Sequence, residues 1–75
     1  MPNQSSSREI LAVLRQVGFV EVSQRGSHLK LRRQRDGRTL TVIVKHPAAS
    51  IPVGTFRAIL RQAELTLDEF KRLLD

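Results

Sequence analysis

The residues of this chain best suited to chemistry lie in one short segment, where a histidine is followed at alternating positions by two cations. His28, Lys30 and Arg32 are separated by the apolar residues Leu29 and Leu31. Successive side chains of a β-strand point to opposite faces, so a strand here places the polar side chains on one face and the leucines in a core. An imidazole titrates near neutral pH, and neighbouring cations hold a polyanion within reach. The segment predicts chemistry on a phosphodiester, with RNA as the first candidate substrate.

The composition is that of one small and strongly basic domain. The 75 residues include 13 Lys and Arg against 7 Asp and Glu, for a net charge of +6. This charge favours nucleic acid, an anionic membrane surface or an acidic protein as partner. No apolar run is long enough to cross a bilayer, no signal-peptide pattern is present, and cysteine is absent. We therefore expect a single cytoplasmic domain over residues 1–75, flexible over residues 1–6, with no cofactor and no metal.

Hydrophobic spacing divides the chain into helices and strands. Apolar residues recur every three or four positions before Gly18, which indicates a helix that ends there. Alternation then indicates strands, and Asp36-Gly37 is typical of a tight hairpin turn. The predicted elements are a helix over residues 7–17, strands over 19–24, 27–33 and 38–44, a helix from 52 to about 64, and a short C-terminal helix from 67. One apolar face on each element predicts an α+β fold, a three-stranded antiparallel sheet with helices packed on one face.

Several residues extend the predicted site around His28. Lys45 shares its face by alternation along the third strand. Gly26 lets the chain turn sharply, and Ser27 either donates to a phosphate oxygen or bonds the turn backbone. His46 precedes a proline, which restricts it to extended backbone, and it either aids catalysis or serves only the turn. From the residues alone, His28 is either the catalytic residue or a half-exposed strand histidine with no chemical role. The candidate substrate-binding residues are Gly26, Ser27, Lys30, Arg32, Lys45 and His46.

These features, in this order, resemble the HicA family of toxin ribonucleases. The resemblance covers residues 10–74 and depends on Gly18-Phe19, Gly26-Ser27-His28, a basic third strand ending near a histidine, the segment Ile51–Ala63 and Asp68-Glu69-Phe70. It implies a double-stranded-RNA-binding-like α-β-β-β-α fold, cleavage of messenger RNA with His28 as the catalytic histidine, and a HicB-type antitoxin. The toxin is then a monomer when free and part of a hetero-oligomer with the antitoxin. The chain departs from the family at Glu64, where a glycine is usual, and near the end of the third strand, where the proline–histidine arrangement is shifted and His46 comes before Pro47.

Two other functions fit the same residues. One is a non-catalytic RNA-binding module that uses the same basic face, and the other is an adaptor whose basic helix binds an acidic protein. The chain contains no Tyr or Trp, which weakens the binding module, because readers of single strands stack bases on exposed aromatic rings. A nuclease of this kind activates the internal 2′-hydroxyl of RNA without a metal. Loss of His28 separates the hypotheses, since a binder tolerates it and a nuclease does not.

Overall fold

The computed structural model describes residues 5–74, which form a three-stranded antiparallel sheet with helices on one of its faces. The elements are α1 (Ser7–Gln16), β1 (Val20–Arg25), β2 (His28–Arg35), β3 (Arg38–Lys45), α2 (Val53–Ala63) and α3 (Leu67–Leu74). β2 lies in the middle of the sheet, between β1 and β3. The predicted α+β fold is confirmed. Residues 1–4, which belong to the stretch predicted to be flexible, lie outside the described residues.

Helix α1 begins at a capping box formed by Ser6 and Glu9. The Ser6 hydroxyl accepts from the Glu9 N–H at 3.1 Å, and the Glu9 carboxylate accepts from the Ser6 N–H at 2.9 Å. Such a cap satisfies two amide groups that the first turn leaves without helical partners. The carbonyl of Ser5 accepts from the Ile51 N–H at 2.8 Å. Both described residues of the segment predicted to be flexible are therefore hydrogen-bonded.

The core lies between the sheet and the helices, and its sheet side comes from β2 and β3. Leu29 and Leu31 are buried on β2, as the alternation predicted, while their polar neighbours face outward. In α2, Phe56 meets Phe70 of α3 edge to face, with ring centroids 4.9 Å apart. The remaining buried apolar residues are Ile10, Leu11, Val13, Leu14, Phe19, Leu40, Val42, Val44, Ile51, Ile59, Leu60 and Ala63. A domain this small buries a modest share of its surface, so each of these side chains matters to stability.

Strand β1 contributes no side chain to the core. All six of its residues are exposed, and only Phe19, just before the strand, enters the core. The pairing of Glu21 with Leu31 places Glu21 on the helix side, where its carboxylate meets Arg15 of α1. Val20 instead pairs with Arg32 and faces away from the helices. The alternation predicted the strand but not the face that meets the core.

The two hairpin turns hold the strands in register. Asp36 and Gly37 both have positive φ, 51° and 76°, as the prediction required. The first turn is formed by Gly26 and Ser27, one residue later than predicted, with Gly26 at φ 55°. A glycine adopts this conformation at little steric cost. Because Gly26 and Ser27 form the whole turn, His28 is the first residue of β2 and faces the last residue of β1.

Glu64 ends α2 in the left-handed conformation, with φ 57° and ψ 43°. Its carboxylate accepts two hydrogen bonds from Arg38, at 2.6 and 2.9 Å, and lies 3.7 Å from Arg35. The bonds from Arg38 lower the pKa of Glu64, and the same contact raises the pKa of Arg38. A glycine would adopt this backbone more easily, but it could not make the contact. The departure from the family at Glu64 thus ties the end of α2 to the β2–β3 hairpin.

Candidate active site on the open sheet face

His28 lies on the face of the sheet turned away from the helices, called here the open face. It pairs with Arg25 of β1 on one side and with Lys45 of β3 on the other. Paired residues of an antiparallel sheet project to the same face, with Cβ atoms about 4.5–5.5 Å apart. All three side chains are exposed. The structure therefore brings together an imidazole flanked by two cations.

Arg25 is the member of this row that sequence reasoning missed. The prediction placed Arg25 in the turn, whereas the structure makes it the last residue of β1. A turn of two residues puts the residues on either side of it directly opposite each other. Recognition of Gly26-Ser27 as the complete turn would have identified Arg25 as the neighbour of His28.

Two further rows continue the open face along β2. Lys30 lies opposite Ser23 and Ile43, and Arg32 lies opposite Val20 and Thr41. Along a strand, residues two apart are separated by about 6.6 Å. Lys30 and Arg32 therefore follow His28 at regular steps on one face. The structure places Lys30, Arg32 and Lys45 on the face that carries His28.

The cations of the open face have no acidic partners within residues 5–74. Arg25, Lys30, Arg32 and Lys45 all lack a carboxylate within salt-bridge distance. The acidic partners are elsewhere, where Arg15 meets Glu21, and Arg35 and Arg38 meet Asp36 and Glu64. Clustered charge of one sign raises the local concentration of ligands of opposite charge. This face of the described chain is therefore suited to bind a polyanion.

His46 is directed to a different part of the molecule. Its Nδ1 lies 2.8 Å from the Oγ of Ser7 in α1, and Ser7 is 2% exposed. The Ser7 hydroxyl also accepts from the Ala48 N–H at 2.9 Å. The structure thus joins the imidazole of His46 to the helix layer and does not bring it to His28. This geometry supports the turn role for His46 over contact with substrate.

The turn before His28 is held by the loop that contains His46. The His46 N–H donates to the Ser27 carbonyl at 2.7 Å. Ser27 is half-buried, and its hydroxyl makes no hydrogen bond within the part of the chain that the structure describes. A Cβ on Gly26 would meet nothing within 4 Å, so Gly26 serves the backbone conformation and not close packing.

Among residues 5–74, no three His, Asp or Glu side chains come together as metal ligands would. None of the described helices combines the length and the apolar character that crossing a bilayer requires.

An exposed histidine between two cations, on the open face of a sheet with helices behind it, defines a basic α+β domain with a cationic face. The family model described as "HicA toxin of bacterial toxin-antitoxin" matches residues 7–65. The chain belongs to this family, and its resemblance to HicA toxins is confirmed. It is therefore a toxin of a toxin–antitoxin system, with an antitoxin as partner. Comparison with curated proteins gives no match.

Proposed function

We propose that this toxin is an endoribonuclease that cleaves messenger RNA through attack by the RNA's own 2′-hydroxyl, with His28 as the catalytic residue. The observation that carries the proposal is the row formed by Arg25, His28 and Lys45. The reaction needs a proton acceptor that works near neutral pH and positive charge beside the phosphate. This row offers both on a face that is open to a long polymer.

In the proposed reaction, His28 removes the proton of the 2′-hydroxyl as that oxygen attacks the adjacent phosphorus. The bond from phosphorus to the 5′-oxygen breaks, and the products end in a 2′,3′-cyclic phosphate and a 5′-hydroxyl. Arg25 and Lys45 offset the negative charge that grows on the phosphate oxygens. Water at this exposed face protonates the leaving 5′-oxygen. The nucleophile belongs to the substrate, so the step requires no metal-bound water.

The remaining site residues hold the RNA. Lys30 and Arg32 contact phosphates beyond the one that is cleaved, because they continue the cationic track along β2. Gly26 shapes the turn, and the Ser27 hydroxyl donates to a phosphate oxygen. His46 supports the turn from the helix side and does not contact the RNA. These contacts position the substrate without reading base identity.

The direct test is cleavage of a labelled RNA oligonucleotide by His28→Ala and His28→Gln proteins. General acid–base catalysis contributes about 10²–10⁴-fold, so we expect a loss of that size. His28 is exposed, so circular dichroism and the melting temperature should match those of the wild type. Lys71→Ala, which removes an exposed cation of α3, is the control for charge loss away from the site. A folded His28→Ala protein that cuts RNA at near the wild-type rate would refute the assignment.

The antitoxin partner is proposed to be of the HicB type and to act by covering the open face. The unpaired cations there favour an acidic surface, and a covered His28 cannot reach RNA. The free toxin is then a monomer that acts in the cytoplasm, where messenger RNA is translated. Size-exclusion chromatography and an RNA competition assay test both statements. RNA that still binds the toxin–antitoxin complex as well as it binds the toxin would contradict coverage of this face.

A further inference from the structure

Exposed aliphatic side chains lie on the open face beside its cations. Val20 is 64% exposed, Val22 46% and Ile43 48%. Val20 pairs with Arg32, and Ile43 pairs with Lys30. The register shifts between Glu21 and Ser23, so Val22 is the extra residue of a bulge opposite Lys30. Removal of apolar surface from water by a bound ligand is favourable. This combination of aliphatic and cationic side chains is therefore a candidate contact surface.

The two valines of β1 line a groove of about 430 Å³ at the end of the sheet away from His28. Its other lining residues are Gly18, Arg32, Arg33 and Gln34. The groove therefore has apolar side chains with the Arg32 side chain beside them, whereas Arg33 pairs with the buried Leu40 and projects toward the helix side. Neither Arg32 nor Arg33 is within salt-bridge distance of a carboxylate in residues 5–74.

We propose that this groove is a nucleotide subsite for a single-stranded RNA substrate, an inference that depends on the proposed function. The valines contact the face of a base, and the guanidinium group of Arg32 stacks on the base or binds its phosphate. A base within a duplex is stacked on its neighbours and cannot lie against these side chains, so the subsite selects an unpaired base. Charge complementarity favours a nucleic acid, because the cations follow one another along β2 toward His28 as phosphates do along RNA.

The position of the groove determines which nucleotide occupies it. Arg32 lies four residues along β2 from His28, a separation of about 13 Å. The base in the groove therefore belongs to a nucleotide beyond the two that flank the cleaved phosphate. A substrate long enough to reach the groove should be cleaved more efficiently than a dinucleotide. The gain should appear on extension from one end only, because the groove lies on one side of His28.

The experiment measures kcat/KM for a dinucleotide and for RNAs lengthened by one, two or three nucleotides at either end. For the wild type, we expect kcat/KM to increase at a single step of the lengthening series, and only when the RNA is extended from one of its two ends. In the double variant Val20→Ser/Val22→Ser, we expect that gain to fall by about tenfold, while the dinucleotide is cleaved as before. Val53→Ser is the matched control, since Val53 is also 46% exposed but lies at the start of α2, outside the open face.

A binding measurement separates the subsite from the proposed chemistry. Fluorescence anisotropy of a labelled RNA, recorded with the His28→Ala background, should show about tenfold weaker binding when both valines are replaced. This result would support the groove even if His28 proved not to be catalytic. Equal binding and an equal length dependence in the valine variant would overturn the subsite. Loss of antitoxin binding with unchanged RNA binding would assign the groove to the protein partner and would also overturn it.

Discussion

Replacement of Ser7 by alanine removes the buried hydroxyl that joins α1 to the loop after β3. The hydroxyl lies 2.8 Å from His46 Nδ1, accepts from the Ala48 N–H at 2.9 Å and lies 3.2 Å from the Ala48 carbonyl. A serine hydroxyl has one proton and two lone pairs, which these contacts occupy fully. The loop carries the N–H that holds Ser27, so this contact also supports the turn before His28.

The expected cost follows from the groups that alanine leaves without partners. The Ala48 carbonyl keeps a bond from the Ser7 N–H at 2.9 Å, but the Ala48 N–H loses its acceptor. A buried polar group without a partner costs about 1–3 kcal/mol. Because Ala48 is half-buried, we expect the free energy of unfolding to fall by about 2 kcal/mol. This is a large share of the roughly 4–11 kcal/mol expected for 75 residues.

Urea denaturation at neutral pH measures this change. Ser50→Ala, an exposed serine of the same loop, is the control and should stay within about 0.5 kcal/mol of the wild type. His46→Asn keeps a polar atom near the position of Nδ1 and should retain most of the stability and the RNA cleavage. A Ser7→Ala protein as stable as the wild type would refute the reasoning. If the His46→Asn protein were stable but did not cleave RNA, His46 would have to be assigned a direct role in binding or cleaving the substrate.

Three further predictions address the core, the chemistry and an ion pair. Phe56→Ala should lower the free energy of unfolding by about 3–5 kcal/mol, because Phe56 is buried against Phe70. Arg57 is exposed, so Arg57→Ala should change this free energy by at most about 0.5 kcal/mol. Equal effects of the two substitutions in urea denaturation would contradict the prediction. The protein should cut RNA in the presence of EDTA, and loss of cleavage on adding EDTA would count against the mechanism. It should not cut DNA of the same sequence, since DNA has no 2′-hydroxyl. The hydrogen bonds from Arg38 lower the pKa of Glu64, so their stabilisation is present above the ordinary carboxyl pKa and is lost as pH falls through the lowered value. The difference in melting temperature between the wild type and Glu64→Gln should therefore shrink in acid. A difference that does not vary with pH would refute this role of the ion pair.

The alternation of residues in β2 and β3 was sufficient to predict the face that carries His28. A shift by one residue in β2 would bury Lys30 and expose Leu31, and a shift in β3 would expose Val42, which the hydrophobic effect opposes. The helix periodicity and the glycine turns were equally local signals. The α+β fold and the shared face of His28, Lys30 and Lys45 could therefore be predicted from the sequence alone.

The tertiary structure decided the features that depend on contacts between distant residues. Val20 faces outward because β1 pairs with β2 in a register that places Glu21 on the helix side, and a bulge interrupts its alternation. His46 turns to Ser7, 39 positions away in the chain. Glu64 occupies a position typical of glycine and is bonded to Arg38, 26 positions away. Local periodicity specifies which residues share a face, whereas partners across the fold specify where a loop side chain points and which face of an edge strand meets the core.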